Sequence, residues 1–156
     1  MPRARHRFES PALKPTDLAF NRALGVRDAP PGAEHLLELP FGPLVQNHVG
    51  TVHAAAQFAL AEAAAAERLR RDYAAAAGQA LVLVRAVSAK YRAAATGDLL
   101  AYARPDDSTR EHLLRDLATR SRTKAVVLVE LRDRAGTLCF AGTFEWFVAT
   151  ANPPSA

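Results

Sequence analysis

The segment "TVHAAAQFALAEAAAAERLRRDYAAAA", residues 51–77, determines how the rest of this chain can be arranged. It contains no proline and no glycine, and thirteen of the twenty-five residues from 53 to 77 are alanine, the best helix former. The sequence therefore predicts one long helix that ends at Gly78. Alanine side chains bury little area but let another element approach the helix backbone closely, so we expect a sheet wrapped around this helix.

The segments after this helix are rich in β-type residues. Residues 79–91 and 98–104 predict two strands, most simply an antiparallel pair. Residues 123–150 give the strongest signal, two long runs joined at 134–136. In the second run, apolar residues share one face with a gap at Gly142: Leu138, Phe140, Phe144, Trp146 and Val148. Such a glycine often marks the close approach of another backbone, here expected to be the alanine helix.

Shorter elements complete the predicted fold. Residues 17–24 predict a short helix ended by Gly25, and "AEHLLELP" predicts a strand ended by Pro40. Ser108 and Glu111 form a capping-box pattern at the start of a second helix. The predicted class is α+β, a long central helix wrapped by a curved antiparallel β-sheet. We expect one domain over residues 15–150, with disordered tails at 1–14 and 151–156.

Composition limits the classes of function. A chain of 156 residues with 49% hydrophobic and 23% charged residues fits a single soluble domain. The net charge of +4 is spread along the chain, which argues against nucleic acid but suits a phosphate-bearing small molecule. Cys139 is the only cysteine, so a reducing compartment is expected. No apolar run approaches the roughly 20 residues that span a bilayer, so we predict a cytoplasmic protein without a membrane partner.

Polar residues cluster around the start of the long helix, with Asn47, His48, Gly50 and His53 before it and Glu62 within it. Nine residues of α-helix rise about 13.5 Å and turn roughly 900°, which puts His53 and Glu62 on opposite faces. One chain cannot bring both to one reacting atom. Their cooperation requires a second copy of the chain across a two-fold axis. A catalytic interpretation therefore predicts a homo-oligomer, either a dimer or a dimer of dimers.

The helix start and the glutamate have complementary chemistry. The first backbone N–H groups, of His53, Ala54 and Ala55, lie at the positive end of the helix dipole and can hold a developing oxyanion. Glu62 is surrounded in sequence by Leu60 and alanines. A carboxylate in such surroundings either points to solvent or has a perturbed pKa, as a general base or nucleophile does.

The pattern Asn47, Gly50, His53, two small residues and Glu62 resembles that of the hotdog-fold acyl-CoA thioesterases, especially the phenylacetic-acid-pathway type. Their usual form is N-x-x-G-x-x-H-G-G followed by an acidic residue nine after the histidine. The spacings match without a gap, and the order of elements agrees from about residue 15 to 150. The resemblance implies a hotdog fold, a dimer with two sites at its interface, and acyl-CoA or acyl-carrier thioesters as substrates. No metal or cofactor is implied beyond the CoA of the substrate.

The resemblance also implies roles for individual residues. Glu62 would activate water or attack the thioester carbonyl, and the N–H of Ala54 would polarise the carbonyl oxygen. His53 would shape the turn, and Asn47 would orient the water or the carbonyl. The remaining residues of the predicted substrate site are Ala55, Gly50 and His48. Four cations on or near strands are candidate contacts for the CoA phosphates: Lys90, Arg92, Arg122 and Lys124.

Some positions depart from the family pattern and leave alternatives open. Ala54 and Ala55 replace the glycine pair, and Ala66 and Val84 stand where many relatives have a hydroxyl residue. A non-catalytic hotdog protein that binds acyl-CoA is therefore one alternative. The other is a hydroxyacyl-thioester dehydratase that uses His48 and Glu62, which have the fourteen-residue spacing of that class but lack its "HFPG" surroundings.

Overall fold

The computed structural model describes residues 14–77 and 80–150. Gly78 and the predicted tails, apart from Lys14, lie outside these residues. Two single-turn 3-10 helices cover Pro15–Asp17 and Pro43–Val45. The other elements are α1 (Ala19–Leu24), β1 (Arg27–Asp28), β2 (Leu37–Leu39), α2 (Ala54–Ala77), β3 (Ala80–Tyr91), β4 (Leu99–Pro105), α3 (Asp107–Arg120), β5 (Arg122–Asp133) and β6 (Leu138–Thr150).

The six strands form one antiparallel sheet in the order β1-β2-β4-β5-β6-β3. Helix α2 packs on one face, which we call the inner face, and its alanines lie in the core: Ala59, Ala61, Ala63, Ala64 and Ala65. The sheet supplies the large core side chains, among them Phe140 and Phe144. The predicted α+β class, a long helix wrapped by an antiparallel sheet, is confirmed.

The predicted pairing of the two strands after α2 is wrong. β3 pairs with β6 and β4 pairs with β5, so the β5–β6 hairpin lies between them. The register sets Val84 against Trp146, Val87 against Phe144 and Tyr91 against Phe140 on the inner face. Pairs of branched and aromatic side chains favour this arrangement. β3 is consequently an edge strand.

Gly142 has a different neighbour from the one predicted. A Cβ at this position would lie 2.8 Å from ring atoms of both Phe140 and Phe144, the flanking inner-face residues of β6. Glycine is thus required because two rings of the same strand close over it, and the backbone of α2 is not the close neighbour. The start of α3 also differs, since the side chain of Asp106 caps it by accepting from the N–H of Thr109, where the pattern had indicated Ser108.

One carboxylate is buried in the middle of α2. The side chain of Glu67 is 1% exposed and bonds to Arg70 and Arg71 at 2.7 Å. Burial raises the pKa of this carboxyl group, but the hydrogen bonds from the two guanidinium groups outweigh burial and lower it overall. Within residues 14–77 and 80–150, no helix has the length and apolar character needed to cross a bilayer.

Candidate active site

Asn47 organises the loop that leads into α2. Its Oδ1 accepts from the N–H of Val49 (3.1 Å) and of Thr51 (3.0 Å), while its Nδ2 donates to Thr51 Oγ1 (2.8 Å). Gly50 has φ +77°, a left-handed conformation that favours glycine. A carboxamide has two N–H donors, so one Nδ2 proton of Asn47 is left for another acceptor. The structure gives this residue a clear role in shaping the loop.

His53 is the N-cap of α2. Its Nδ1 accepts from the N–H of Ala55 at 3.0 Å, which requires the proton of the neutral ring to be on Nε2. Its own backbone N–H donates to the carbonyl of Val45 at 2.7 Å. Two of the three amides predicted as oxyanion donors, those of His53 and Ala55, are therefore already engaged.

The N–H of Ala54 is the donor that remains. It is the first residue of a 24-residue helix, and no acceptor in the described part of the chain receives its proton. The residue is exposed, so a ligand can reach this end of the helix. An unpaired amide at the positive end of a long helix is suited to hold a carbonyl oxygen that gains negative charge.

Tyr91 is a residue of this region that the sequence pattern did not indicate. Its hydroxyl donates to the carbonyl of Ala54 at 3.2 Å, and its ring packs edge-on against Phe140 with centroids 5.3 Å apart. Half of the residue remains exposed. An inner-face aromatic at the end of β3 is visible in the sequence, but its contact with the helix start depends on the β3–β6 register.

Glu62 is half-buried and lies on the least covered stripe of α2, which continues through Ala55, Phe58 and Ala66. Its carboxylate has no hydrogen bond or ion pair with any residue in the described ranges. Burial raises its pKa. The eight residues from Ala54 to Glu62 correspond to about 12 Å along the helix axis. The carboxylate and the free amide of one chain therefore cannot act on the same atom.

The surroundings of Glu62 follow from how α2 runs along β6. The helix start contacts Tyr91, the partner of Phe140, and the ring of Phe58 packs at a tilt against that of Phe144 with centroids 5.7 Å apart. One further turn of the helix brings Glu62 toward the level of Trp146. The Nε1 of Trp146 is buried and has no hydrogen-bond partner among residues 14–77 and 80–150. The turn of α2 before Glu62 therefore packs on aromatic core.

The other predicted site residues are not all brought to this region. His48 is exposed on the loop, and no hydrogen bond joins it to Glu62. Lys90 and Arg92 line a cavity of about 610 Å³ on the outer face of the sheet. Arg122 pairs with Ala149 of β6, whereas Lys90 pairs with Ala141, so Arg122 and its neighbour Lys124 lie at the opposite end of the sheet.

Residues 26–148 match the model of a family described as a domain of unknown function, DUF4442. The chain belongs to this family. Among curated proteins, no sequence matches it. This DUF4442 chain is similar in fold to a Pseudomonas aeruginosa protein described as a probable thioesterase, with 23% identity, a TM-score of 0.70, and coverage of 86% of this chain and 90% of the other.

Two further solved structures show the same fold. A Haemophilus influenzae thioesterase is 16% identical, with a TM-score of 0.65 and 90% of each chain covered. A Bacillus halodurans protein crystallised with CoA is 20% identical, with a TM-score of 0.58 and coverage of 72% of the DUF4442 chain and 69% of the other. The predicted resemblance to hotdog-fold thioesterases is thereby confirmed for the fold.

Proposed function

We propose that this DUF4442 protein hydrolyses an acyl thioester of CoA or of a carrier protein, at a site completed by two copies of the chain. One observation carries the proposal. Within the described residues, the helix start has a single unpaired amide, at Ala54, and the same helix carries an unpaired, half-buried carboxylate, Glu62. Thioester hydrolysis needs these two functions, a donor for the carbonyl oxygen and a base or nucleophile.

The pKa of Glu62 supports its role as the base. Burial favours the protonated form and so raises the pKa of this carboxyl group. A carboxylate with a raised pKa accepts a proton from water more readily, which is what a general base must do. Direct attack of the carboxylate on the thioester carbonyl is the other way in which the same position can act.

A second copy of the chain resolves the separation between Ala54 and Glu62. β3 is an edge strand of twelve residues, and its inner face leaves Val84 39% and Tyr91 50% exposed. An exposed apolar edge strand is a surface on which another chain can pair. Antiparallel pairing of two β3 strands about a two-fold axis perpendicular to the sheet would bring the α2 helices of both chains to the same side of a continuous sheet. The amide of one chain would there face the carboxylate of the other.

The substrate class rests on the fold relationship. The Bacillus halodurans protein of similar fold was crystallised with CoA, and the other two are described as thioesterases. In the proposed reaction, water adds to the thioester carbonyl as Glu62 takes its proton, and the N–H of Ala54 holds the oxyanion. Collapse of this intermediate breaks the C–S bond and releases the carboxylic acid, and the departing thiolate takes the proton from Glu62 to leave as the thiol.

Hydrolysis of a panel of acyl-CoAs by the wild type, Glu62→Ala and Glu111→Ala tests the proposal. Glu111 is an exposed glutamate on α3 and serves as the matched control. We expect Glu62→Ala to lose at least about 100-fold in kcat, the usual contribution of a general base, and Glu111→Ala to keep wild-type rates. Equal rates in the wild type and Glu62→Ala would refute hydrolysis at this site, and saturable acyl-CoA binding with no turnover would favour the non-catalytic alternative.

A further inference from the structure

The outer face of the sheet, opposite α2, contains a trough built from two neighbouring rows of side chains. The strand registers place the rows across β4, β5, β6 and β3: Tyr102, Glu130, Ala141 and Lys90 in one, and Arg104, Leu128, Thr143 and Ser88 in the other. The short side chains of β6 form the floor, and long side chains rise at both ends. The cavity between them has a volume of about 610 Å³.

The dimensions of the trough indicate the size of its ligand. Its two walls stand on β3 and β4, which are separated by β6 and β5. Three strand spacings of about 4.8 Å put the backbones of the two walls roughly 14 Å apart across the sheet. A nucleoside with two or more phosphates is long enough to extend across this width, whereas a single phosphate ion would fill only part of it.

The charge of the trough indicates an anionic ligand. Lys90, Arg92 and Arg104 are exposed, and none forms an ion pair with a carboxylate of the described chain. Of the two lining carboxylates, Glu130 is held by Arg132 at 2.7 Å, and Glu34 lies in the same lining. Three unpaired cations thus face one cavity with an excess of positive charge, the arrangement that recognises phosphate groups.

We propose that this outer-face trough binds a nucleoside phosphate. Lys90, Arg92 and Arg104 would contact the phosphates, and the ring of Tyr102, half-buried against His35 with ring centroids 5.9 Å apart, would form a wall for the base. The ligand is either the nucleotide end of the CoA in the substrate or a separate nucleotide. Only the first of these rests on the proposed thioesterase function.

The two faces of the sheet meet at the end of β3. Lys90 and Arg92 flank Tyr91 in sequence, and successive strand residues point to opposite faces. Tyr91 contacts the start of α2 on the inner face, while Lys90 and Arg92 line the trough on the outer face. A ligand in the trough at this end of β3 therefore lies on the opposite face of the strand from the proposed oxyanion site.

Calorimetric titration of the whole protein with 3′,5′-ADP, ATP and inorganic phosphate tests this inference without requiring turnover. The variants are Lys90→Ala and Arg104→Ala, one for each wall, and the matched control is Arg120→Ala, an exposed cation in the last turn of α3. We expect saturable nucleotide binding that is tighter than phosphate binding. Each wall variant should weaken it about tenfold, as expected for losing a charge-assisted contact, and Arg120→Ala should leave it unchanged. Absence of saturable nucleotide binding, or an equal loss in Arg120→Ala, would overturn the proposal.

Whether the trough holds the nucleotide of CoA or a separate nucleotide is tested by comparing an acyl-CoA with the corresponding acyl-pantetheine thioester. If the trough holds the nucleotide of CoA, Arg104→Ala should raise KM for the acyl-CoA alone, with kcat unchanged for both. If it holds a separate nucleotide, KM should be unaffected for both substrates while nucleotide binding is still weakened. Either result supports the trough as a nucleotide site, and a protein that binds nucleotide but hydrolyses neither thioester would contradict only the proposed function.

Discussion

His53 has a structural contact that accounts for its position in the sequence pattern. Its Nδ1 caps α2 by accepting from the N–H of Ala55. Loss of an N-cap acceptor costs about 1 kcal/mol, so His53→Ala should lower the free energy of unfolding by that amount. Asparagine is among the best N-cap residues, so His53→Asn should restore most of the loss. Urea denaturation of the three proteins measures both changes.

The same pair of variants separates a capping role from a chemical one. If His53 only positions the helix start, His53→Asn should retain most of the thioesterase activity that His53→Ala loses. A stable His53→Asn protein that is as inactive as His53→Ala would contradict this role and show that the imidazole itself takes part in the reaction.

Ionisation of Glu62 should destabilise the folded protein. Because burial raises its pKa, folding disfavours the charged form. The stability associated with the protonated carboxyl is fully present below the ordinary pKa of glutamate and is lost as the pH rises through the higher pKa of the folded state. Glu62→Gln should therefore melt above the wild type at pH 7, with a difference that shrinks toward acidic pH. Thermal melts at several pH values measure it, and a lower Tm for Glu62→Gln at pH 7 would contradict the burial of an unpaired charge.

The sequence spacing singles out His53 and Glu62 as candidate site residues, but it does not predict the hydrogen bonds formed around them. The bonds from Asn47 to Thr51 and from His53 to Ala55 depend on the path of the loop. The contact of Tyr91 with the helix start depends on which strand β3 pairs with. These contacts depend on the tertiary structure, so the periodicity of a single segment cannot predict them.

The elements themselves could mostly be predicted, because each is encoded by its own segment. The alanine content gave α2, and alternating apolar residues gave the β5–β6 hairpin. The partner of β3 could not be predicted, since several strands with similar composition compete for the same edge. The cap of α3 was assigned two residues late because Asp106 and Ser108 are both good N-cap types and only the fold chooses between them.

The packing of β6 around Gly142 can be tested by substitution. An added methyl group would lie 2.8 Å from the rings of Phe140 and Phe144, so Gly142→Ala should force these core rings to move and destabilise the protein by about 1–3 kcal/mol. Gly97 has open space around its would-be Cβ and serves as the control. Chemical denaturation should show a loss for Gly142→Ala and little change for Gly97→Ala. Equal stability of both variants would contradict the ring closure over Gly142.

In the whole molecule, the exposure of the edge strand β3 and of the least covered stripe of α2 has one cause. Helix α2 covers β2, β4 and β5 more fully than β3, which leaves Val84 and Tyr91 exposed on the inner face of β3. A single chain therefore presents an incomplete apolar surface on the same side of the sheet as its candidate catalytic carboxylate. In our account, a second chain covers this surface and supplies the amide of Ala54 that the first chain places about 12 Å away.

Complementation between two inactive variants tests this shared site most directly. Glu62→Ala removes the carboxylate, and Ala54→Pro removes the free N–H at the first helical position, where proline is well tolerated and no helical hydrogen bond is lost. Co-refolding equal amounts of the two proteins would form mixed dimers, each with one doubly defective and one intact site. If the site is shared between chains, the mixture should recover about a quarter of wild-type acyl-CoA hydrolysis, because half of the dimers are mixed and each has one of two sites intact. Activity no higher than the mean of the two separate variants would contradict it.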